Sequence, residues 1–403
     1  MTSKMAVSHD VQEQDASVRW PVYDDEQIQD VVNVLRSGEV NSWTGPHVRN
    51  FETAYANHLG LKHAIGLANG TVALELALYV MGLNSGDEVI VTPRSFFASA
   101  SCVPFMGGVP VFADVDVDTQ SLSAETISAK LTPKTKGIII VHLAGWPCDM
   151  PAIMELARKH GLWVIEDCAQ AHGAEINGRP VGSFGDIAAF SFCQDKIITT
   201  GGEGGLIAMN EDTVWKKAWS RKDHGKSYDT VFNKPHPPGF RWLHEDHGTN
   251  WRMTSIQAVL GLRQLSRLEA WNKQRTRNAE VLISALHDSK GLRTPLPPPN
   301  LKHAWYRFYT FIRPELLKHG WNRDRVMAEI NARGTQCFSG SCSEIYLEKA
   351  FRNGDVSNPF IMLPNAKALG ETSLAFLVDP TLDETKMKKS AAVVQEVMSL
   401  AVI

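Results

Sequence analysis

From Trp163 to Gly173 the chain reads W-V-I-E-D-C-A-Q-A-H-G, and after a turn it reads I-A-A-F-S-F-C-Q-D-K-I-I-T-T-G-G-E-G-G from Ile187 to Gly205. Two short apolar runs, 163–165 and 187–192, have the length and continuity of strands buried on both faces. Each leads into polar residues able to do chemistry. Asp167 and Gln170 follow the first; Ser191 and Lys196 stand at and beyond the end of the second. In an open parallel sheet, ligands bind beyond the carboxyl ends of the strands. These four residues are therefore expected to face one crevice.

A lysine beside a sheet end, followed by glycines, points to a Schiff-base lysine for pyridoxal phosphate. That cofactor asks a protein for an amine to hold its aldehyde and a carboxylate to keep its ring nitrogen protonated. It also needs a cup for its phosphate and an apolar face against its ring. Lys196 supplies the amine. Asp167 supplies the carboxylate, because an adjacent anion favours the protonated ring.

Working outward, E-D-C-A-Q-A-H-G, G-S-F-G-D, F-S-F, D-K and G-G-E-G-G together resemble the DegT/DnrJ/StrS sugar aminotransferases. The resemblance runs from about Pro21 to the C-terminus and is strongest between Leu67 and Gly261. It implies an α/β fold, the fold-type I architecture of pyridoxal phosphate enzymes: a mostly parallel seven-stranded sheet flanked by helices, with a smaller C-terminal α+β domain. By the same resemblance Asp167 meets the ring nitrogen, Gln170 the ring hydroxyl region, and Ser191 the phosphate. Phe96 stacks on the ring.

The patterning agrees. Strands are expected at 63–68, 87–93, 109–115 and 136–143, then in the two central runs, then at 206–209, alternating with helices such as 151–160. A-N-G-T at 68–71 opens a helix over 71–81. A small-residue turn at a helix start offers free backbone N–H groups beside the positive dipole end, which suits a phosphate. Gly70 permits close approach and Thr71 adds a hydroxyl. Residues 220–247, rich in His, Pro and Gly, have no period and are expected to form a loop; their histidines lack metal-ligand spacing, and no metal is expected. G-T-N-W-R-M-T at 248–254 matches a family motif that crosses into a partner subunit, which implies a homodimer with a shared site. Asn250 is assigned to the neighbour's phosphate, with Arg252 as the alternative. A long helix is expected over 255–279. Domain limits are expected at 1–18 for a loose tail, 19–270 for the cofactor-binding domain and 271–403 for the small domain.

The chain carries a formal net charge of −3, which gives no electrostatic case for nucleic acid or an anionic membrane. No apolar run approaches the length of a membrane span. The N-terminus lacks a secretory pattern. The six cysteines form no C-x-x-C pair and are expected to be reduced thiols in the cytoplasm.

The function implied is transfer of an amino group from L-glutamate to a keto or aldehyde sugar, in amino-sugar biosynthesis for lipopolysaccharide or another surface polysaccharide. A nucleotide-linked keto-deoxyhexose is the usual family acceptor. The segment 336–346 departs from the family's histidine-rich pattern, and Asp379 stands where histidine is common. S-G-S-C-S-E-I-Y-L-E-K-A-F at 339–351 and F-C-Q-D-K-I-I-T-T at 192–200 resemble a branch that makes 8-amino-8-deoxy-Kdo. The alternatives are a dehydratase of the same family, whose members typically replace the lysine with histidine, and a non-enzymatic regulator on the same fold. Lys196 argues against the first, and the set of Lys196, Asp167 and Ser191 against the second.

Overall fold

The computed structural model describes residues 19–352 and 362–403; the tail expected over residues 1–18 lies outside them. Seven strands build the main sheet: β1 (His63–Leu67), β2 (Glu88–Val91), β3 (Val109–Phe112), β4 (Thr135–Val141), β5 (Trp163–Asp167), β6 (Ile187–Ser191) and β7 (Gly205–Met209). Their order is β1-β7-β6-β5-β4-β2-β3. The five strands from β6 to β3 run parallel, and β7 is antiparallel to both its neighbours. The reversal has a simple cause: residues 192–204 join β6 to β7 without a helix, and a parallel return needs a long crossover.

The strand cores lie where the apolar runs place them. The expected run over 87–93 stops at Val91, and Pro93 beyond it has no N–H to donate to a ladder. Both faces of the sheet are covered. Along β4, Ile138 and Ile140 face one core with Phe51, Tyr55 and Phe190, whereas Ile139 faces the other with Ile65, Leu76 and Ile165. This is the period-2 alternation of a strand, with apolar residues on both sides.

Helix Ser255–Leu286 is longer than its expected span of 255–279. Thr254 and Gln257 cap its start reciprocally. Its first half packs Ala258 and Leu268 on the main sheet, and its second half packs Ala279, Leu282 and Leu286 into a separate core. That core lies against a four-stranded antiparallel sheet of Leu292–Arg293, Phe308–Ile312, Ser373–Phe376 and Cys337–Phe338, covered by helices Arg323–Ala332 and Glu384–Ala401. The architecture is thus a large, mostly parallel α/β sheet followed by a smaller α+β unit.

One local expectation needs correction. The stretch 220–247 is not all loop: Tyr228–Phe232 forms a helix capped by Ser227, too short to show a period. Gly370 lies near the end of helix Pro364–Thr372, and Phe97, next to Phe96, is partly exposed and packs on Phe351 at 5.4 Å.

Candidate active site

A cavity of about 530 Å³ opens at the carboxyl ends of β5 and β6, facing the start of helix Gly70–Val80. Gly70, Thr71, Phe96, Asp167, Gln170, Ser191 and Lys196 all line it. Asn250 does not. It lies exposed on the surface, its backbone bridged to Asp223. Arg252, the alternative to Asn250, pairs with Asp223 of its own chain at 2.7 Å.

One end of the cavity is built from backbone. Asn69 caps the helix by accepting the Val72 N–H at 3.0 Å, which leaves the N–H groups of Gly70 and Thr71 outside the capping bond. A Cβ on Gly70 would stand 2.6 Å from Ser191 Cβ, so only glycine lets the helix start come this close to the end of β6. Helix dipole, free N–H groups and two hydroxyls converge there, and together they suit a phosphate.

At the cavity floor, Asp167 ends β5 in full burial. Its Oδ2 accepts the Ser99 hydroxyl at 2.8 Å and its Oδ1 accepts the Ala169 N–H at 3.1 Å. Burial pushes the Asp167 carboxyl above its ordinary range, and these two bonds and the Lys196 charge oppose the push. Behind Asp167, Glu166 points to the opposite face. It accepts the N–H groups of Gly182, Phe184 and Gly185 and meets His142 Nε2 at 3.0 Å. His142 Nδ1 accepts the Cys148 N–H at 3.1 Å, and its Nε2 hydrogen points to Glu166. Among the described residues, His142, Glu166 and Cys168 lie close enough to hold a metal ion, within 4.8 Å. Glu166 and His142 are already committed to this network, which anchors the strand ends.

Gln170 turns its side chain to the wall, where Oε1 accepts the Ala144 N–H at 2.9 Å. Phe96 is 67% exposed and forms the cavity's open aromatic side. Ser191 is fixed from behind. Its carbonyl accepts His172 Nε2 at 2.9 Å, and His172 Nδ1 accepts the Tyr55 hydroxyl at 2.7 Å. Burial depresses His172 to about 3, which keeps this link neutral.

Lys196 lies in the loop after β6. The indole N–H of Trp20 donates to its backbone carbonyl at 2.8 Å, so the first described residues clamp the lysine segment. Its Nζ stands 3.4 Å from Asp195 Oδ1 and 3.5 Å from the Tyr306 hydroxyl. Burial draws the ammonium down, and Tyr306 and Asp195 more than offset it, so the amine titrates above its ordinary value. Ser99, Asp195, Tyr306 and Trp20 were not singled out in the sequence. Asp195 carried a signal, since it sits beside the lysine. Tyr306 carried none, because it arrives from the small unit.

The cavity fits pyridoxal phosphate. It joins a phosphate-sized cradle that a Cβ would fill, a buried carboxylate, an exposed aromatic face and an amine.

The comparisons with known proteins agree. Residues 21–397 match the model of the DegT/DnrJ/EryC1/StrS aminotransferase family. The chain belongs to that family. It is a sugar aminotransferase dependent on pyridoxal phosphate. A solved aminotransferase from Psychrobacter cryohalolentis shares 51% identity with it, with a TM-score of 0.93 over 95% of this chain and 98% of that one. GDP-perosamine synthase of Caulobacter vibrioides is 43% identical across 79% of this chain and 82% of its own length. UDP-N-acetyl-3-dehydro-alpha-D-glucosamine 3-aminotransferase of Acidithiobacillus ferrooxidans is 35% identical across 88% and 89%. Among the described residues, no helix of this aminotransferase is long and apolar enough to cross a membrane.

Proposed function

We propose that this aminotransferase moves an amino group from L-glutamate to the carbonyl carbon of a nucleotide-linked keto sugar, with Lys196 as the reacting amine. The observation that carries the assignment is the meeting of Lys196, Asp167 and the Gly70 helix start in one cavity. The similarity to GDP-perosamine synthase and to the UDP-sugar 3-aminotransferase supports the acceptor class.

When bound, pyridoxal phosphate supplies an electron sink that lets a proton leave the carbon bearing the amino group. Gly70, Thr71 and Ser191 would hold the phosphate end. Asp167, steadied by Ser99, would set a negative charge beside the ring nitrogen. Phe96 would cover the ring face, and Gln170 would orient the ring's hydroxyl side. Lys196 would hold the aldehyde end at rest, and its Nζ, once free, would take a proton from the donor carbon and give it back. Donor and acceptor use the cavity in turn, so ping-pong kinetics are expected.

We assign the large cofactor-binding unit to residues 19–270 and the smaller one to 271–403. We further propose a homodimer in which Asn250, exposed and outside its own cavity, reaches the neighbour's phosphate. A cytoplasmic location is supported by six free cysteines. The product would serve lipopolysaccharide or a related surface polysaccharide.

The test is an absorbance spectrum before and after L-glutamate, followed by a panel of keto-sugar acceptors. A yellow protein that glutamate bleaches to the amine form supports the donor half. Amination of a nucleotide-linked sugar supports the acceptor, and amination of an 8-oxo-Kdo sugar alone overturns it in favour of that class. Lys196→Ala should retain cofactor through the phosphate cup and lose transfer; retained turnover would remove Lys196 from its role.

A further inference from the structure

The cavity holds a carboxylate that the transfer chemistry leaves without a task. Asp195 lines it beside Lys196, with Oδ1 3.4 Å from Nζ. Its Oδ2 accepts the Tyr306 hydroxyl and stands 3.6 Å from Arg307 Nη2. One carboxylate therefore lies between the amine and a guanidinium. Arg307 is held from its own side: its guanidinium covers the Tyr306 ring at 4.4 Å from the centroid, and Nη1 donates to the Tyr306 carbonyl at 3.2 Å. Among the described residues, its Nε and Nη2 make no hydrogen bond. The Asp195 oxygen is near enough to balance the charge and too far to accept a hydrogen bond. Donors of a planar fork are thus left over beside Asp195, and such a fork matches a carboxylate with two parallel bonds.

The spacing is that of an α-amino acid. There the amine and the carboxylate hang from one carbon, so the two lie in contact range. Asp195 stands in the same relation to Nζ. Its side chain is 49% exposed, whereas those of Lys196 and Arg307 are 15% and 22% exposed. The two cations are the fixed walls, and the carboxylate between them is free to turn into water.

We propose that Arg307 reads the α-carboxylate of the amino donor, and that Asp195 keeps that place until the donor arrives. This role rests on Lys196 as the reacting amine and on L-glutamate as the donor. The donor's amino group comes to the position of Nζ, and its α-carboxylate then falls where Asp195 now lies. Exchange of one carboxylate for another leaves the guanidinium paired throughout, which avoids the cost of a desolvated charge without a partner. Arg275, fully buried on the long helix, adds a second guanidinium close enough to act on Arg307, and both favour an anion here. Arg307 thereby selects α-amino acids over simple amines.

The experiment uses holoenzyme of the parent, Arg307→Gln and Asp195→Asn. 2-Methyl-L-glutamate has no hydrogen on the reacting carbon, so it binds without turnover, and the absorbance of the bound cofactor reports its dissociation constant. Arg307→Gln should bind it at least about tenfold more weakly than the parent, through loss of charge-assisted hydrogen bonds. Asp195→Asn should bind it about threefold more tightly, because the competing carboxylate is gone. L-Glutamate and 4-aminobutanoate, which is glutamate without its α-carboxylate, are then compared as donors by kcat/KM. The parent's preference for L-glutamate should fall at least about tenfold in Arg307→Gln. A merely structural role would weaken both donors alike and leave that preference unmoved. A parent that uses both donors equally, or an unchanged preference in Arg307→Gln, overturns the role of Arg307. Should Arg307→Gln fail to fold, Asp195→Asn decides: tighter binding supports the role, and unchanged or weaker binding overturns it. A parent whose yellow colour L-glutamate does not bleach overturns the donor assignment itself, a result distinct from that of either variant.

Discussion

Ser99 donates its hydroxyl hydrogen to Asp167 Oδ2 at 2.8 Å, and Ser95 Oγ stands 2.9 Å behind it. A helix on one side of the cavity therefore sets the charge at its floor. In Ser99→Ala, burial of Asp167 is less opposed and its carboxyl rises further. The acid limb of the activity profile should move to higher pH, measured as kcat/KM for the donor. Because the folded-state value of Asp167 is already raised, its ionised form costs stability above its unfolded value. Asp167→Asn should therefore raise the melting temperature of cofactor-free protein by a few degrees while abolishing transfer. A lower melting temperature would give Asp167 a structural task instead.

Gly70→Ala tests the phosphate end. The added Cβ would stand 2.6 Å from Ser191 Cβ, so helix and strand must separate. Overpacking of this kind costs about 1–3 kcal/mol. Equilibrium titration should show cofactor affinity reduced at least about tenfold, and thermal unfolding should show a lower midpoint. Unaltered affinity would place the phosphate elsewhere.

Trp20→Phe keeps an aromatic ring against Trp271, which Trp20 meets edge-on at 4.9 Å, but removes the donor to the Lys196 carbonyl. The expected loss is about 1 kcal/mol in denaturant unfolding, the net value of one hydrogen bond. If the clamp also positions the lysine, kcat falls more than KM rises. A kcat equal to that of the parent would confine Trp20 to stability.

Two buried histidines govern the acid side of stability. His172 and His303 are both depressed to about 3 by burial, from an ordinary value of 6.5. Between those values the unfolded chain binds the extra protons, so stability is lost as pH falls below about 6.5. Each histidine should contribute a slope of up to about 1.4 kcal/mol per pH unit. Denaturant unfolding at several pH values checks this, with His172→Gln expected to reduce the slope. An unchanged slope would mean that His172 is protonated in the fold, against its acceptance of the Tyr55 hydroxyl.

The main sheet was legible because its strands are buried on both faces and read as bare apolar runs. The cavity was legible for the same reason: Asp167, Ser191 and Lys196 end or follow those runs, and strand ends are where such sheets bind ligands. Partners that arrive from elsewhere in the chain were not. Tyr306 reaches Lys196 through the loop before Phe308–Ile312, and no local pattern announces that meeting. Ser99 was hidden in a helix of small residues, Ala98–Phe105, with no amphipathic period to expose it. The continuation of the long helix to Leu286 was missed because its apolar side changes partner between the two cores.

The antiparallel return of β7 bears on how the protein acquires its cofactor during folding. Gly205 pairs with Leu67 on one side and Ser191 on the other, so the proposed phosphate cradle is enclosed by three strand ends from distant parts of the chain. A chain in which β1 and β6 have formed but β7 has not docked between them has no cradle. Such non-local pairings form slowly, because loop closure precedes any reward from contact. Capture of pyridoxal phosphate by a refolding chain would then act as a clock for the last seam of the sheet, reporting the moment β7 docks between β1 and β6.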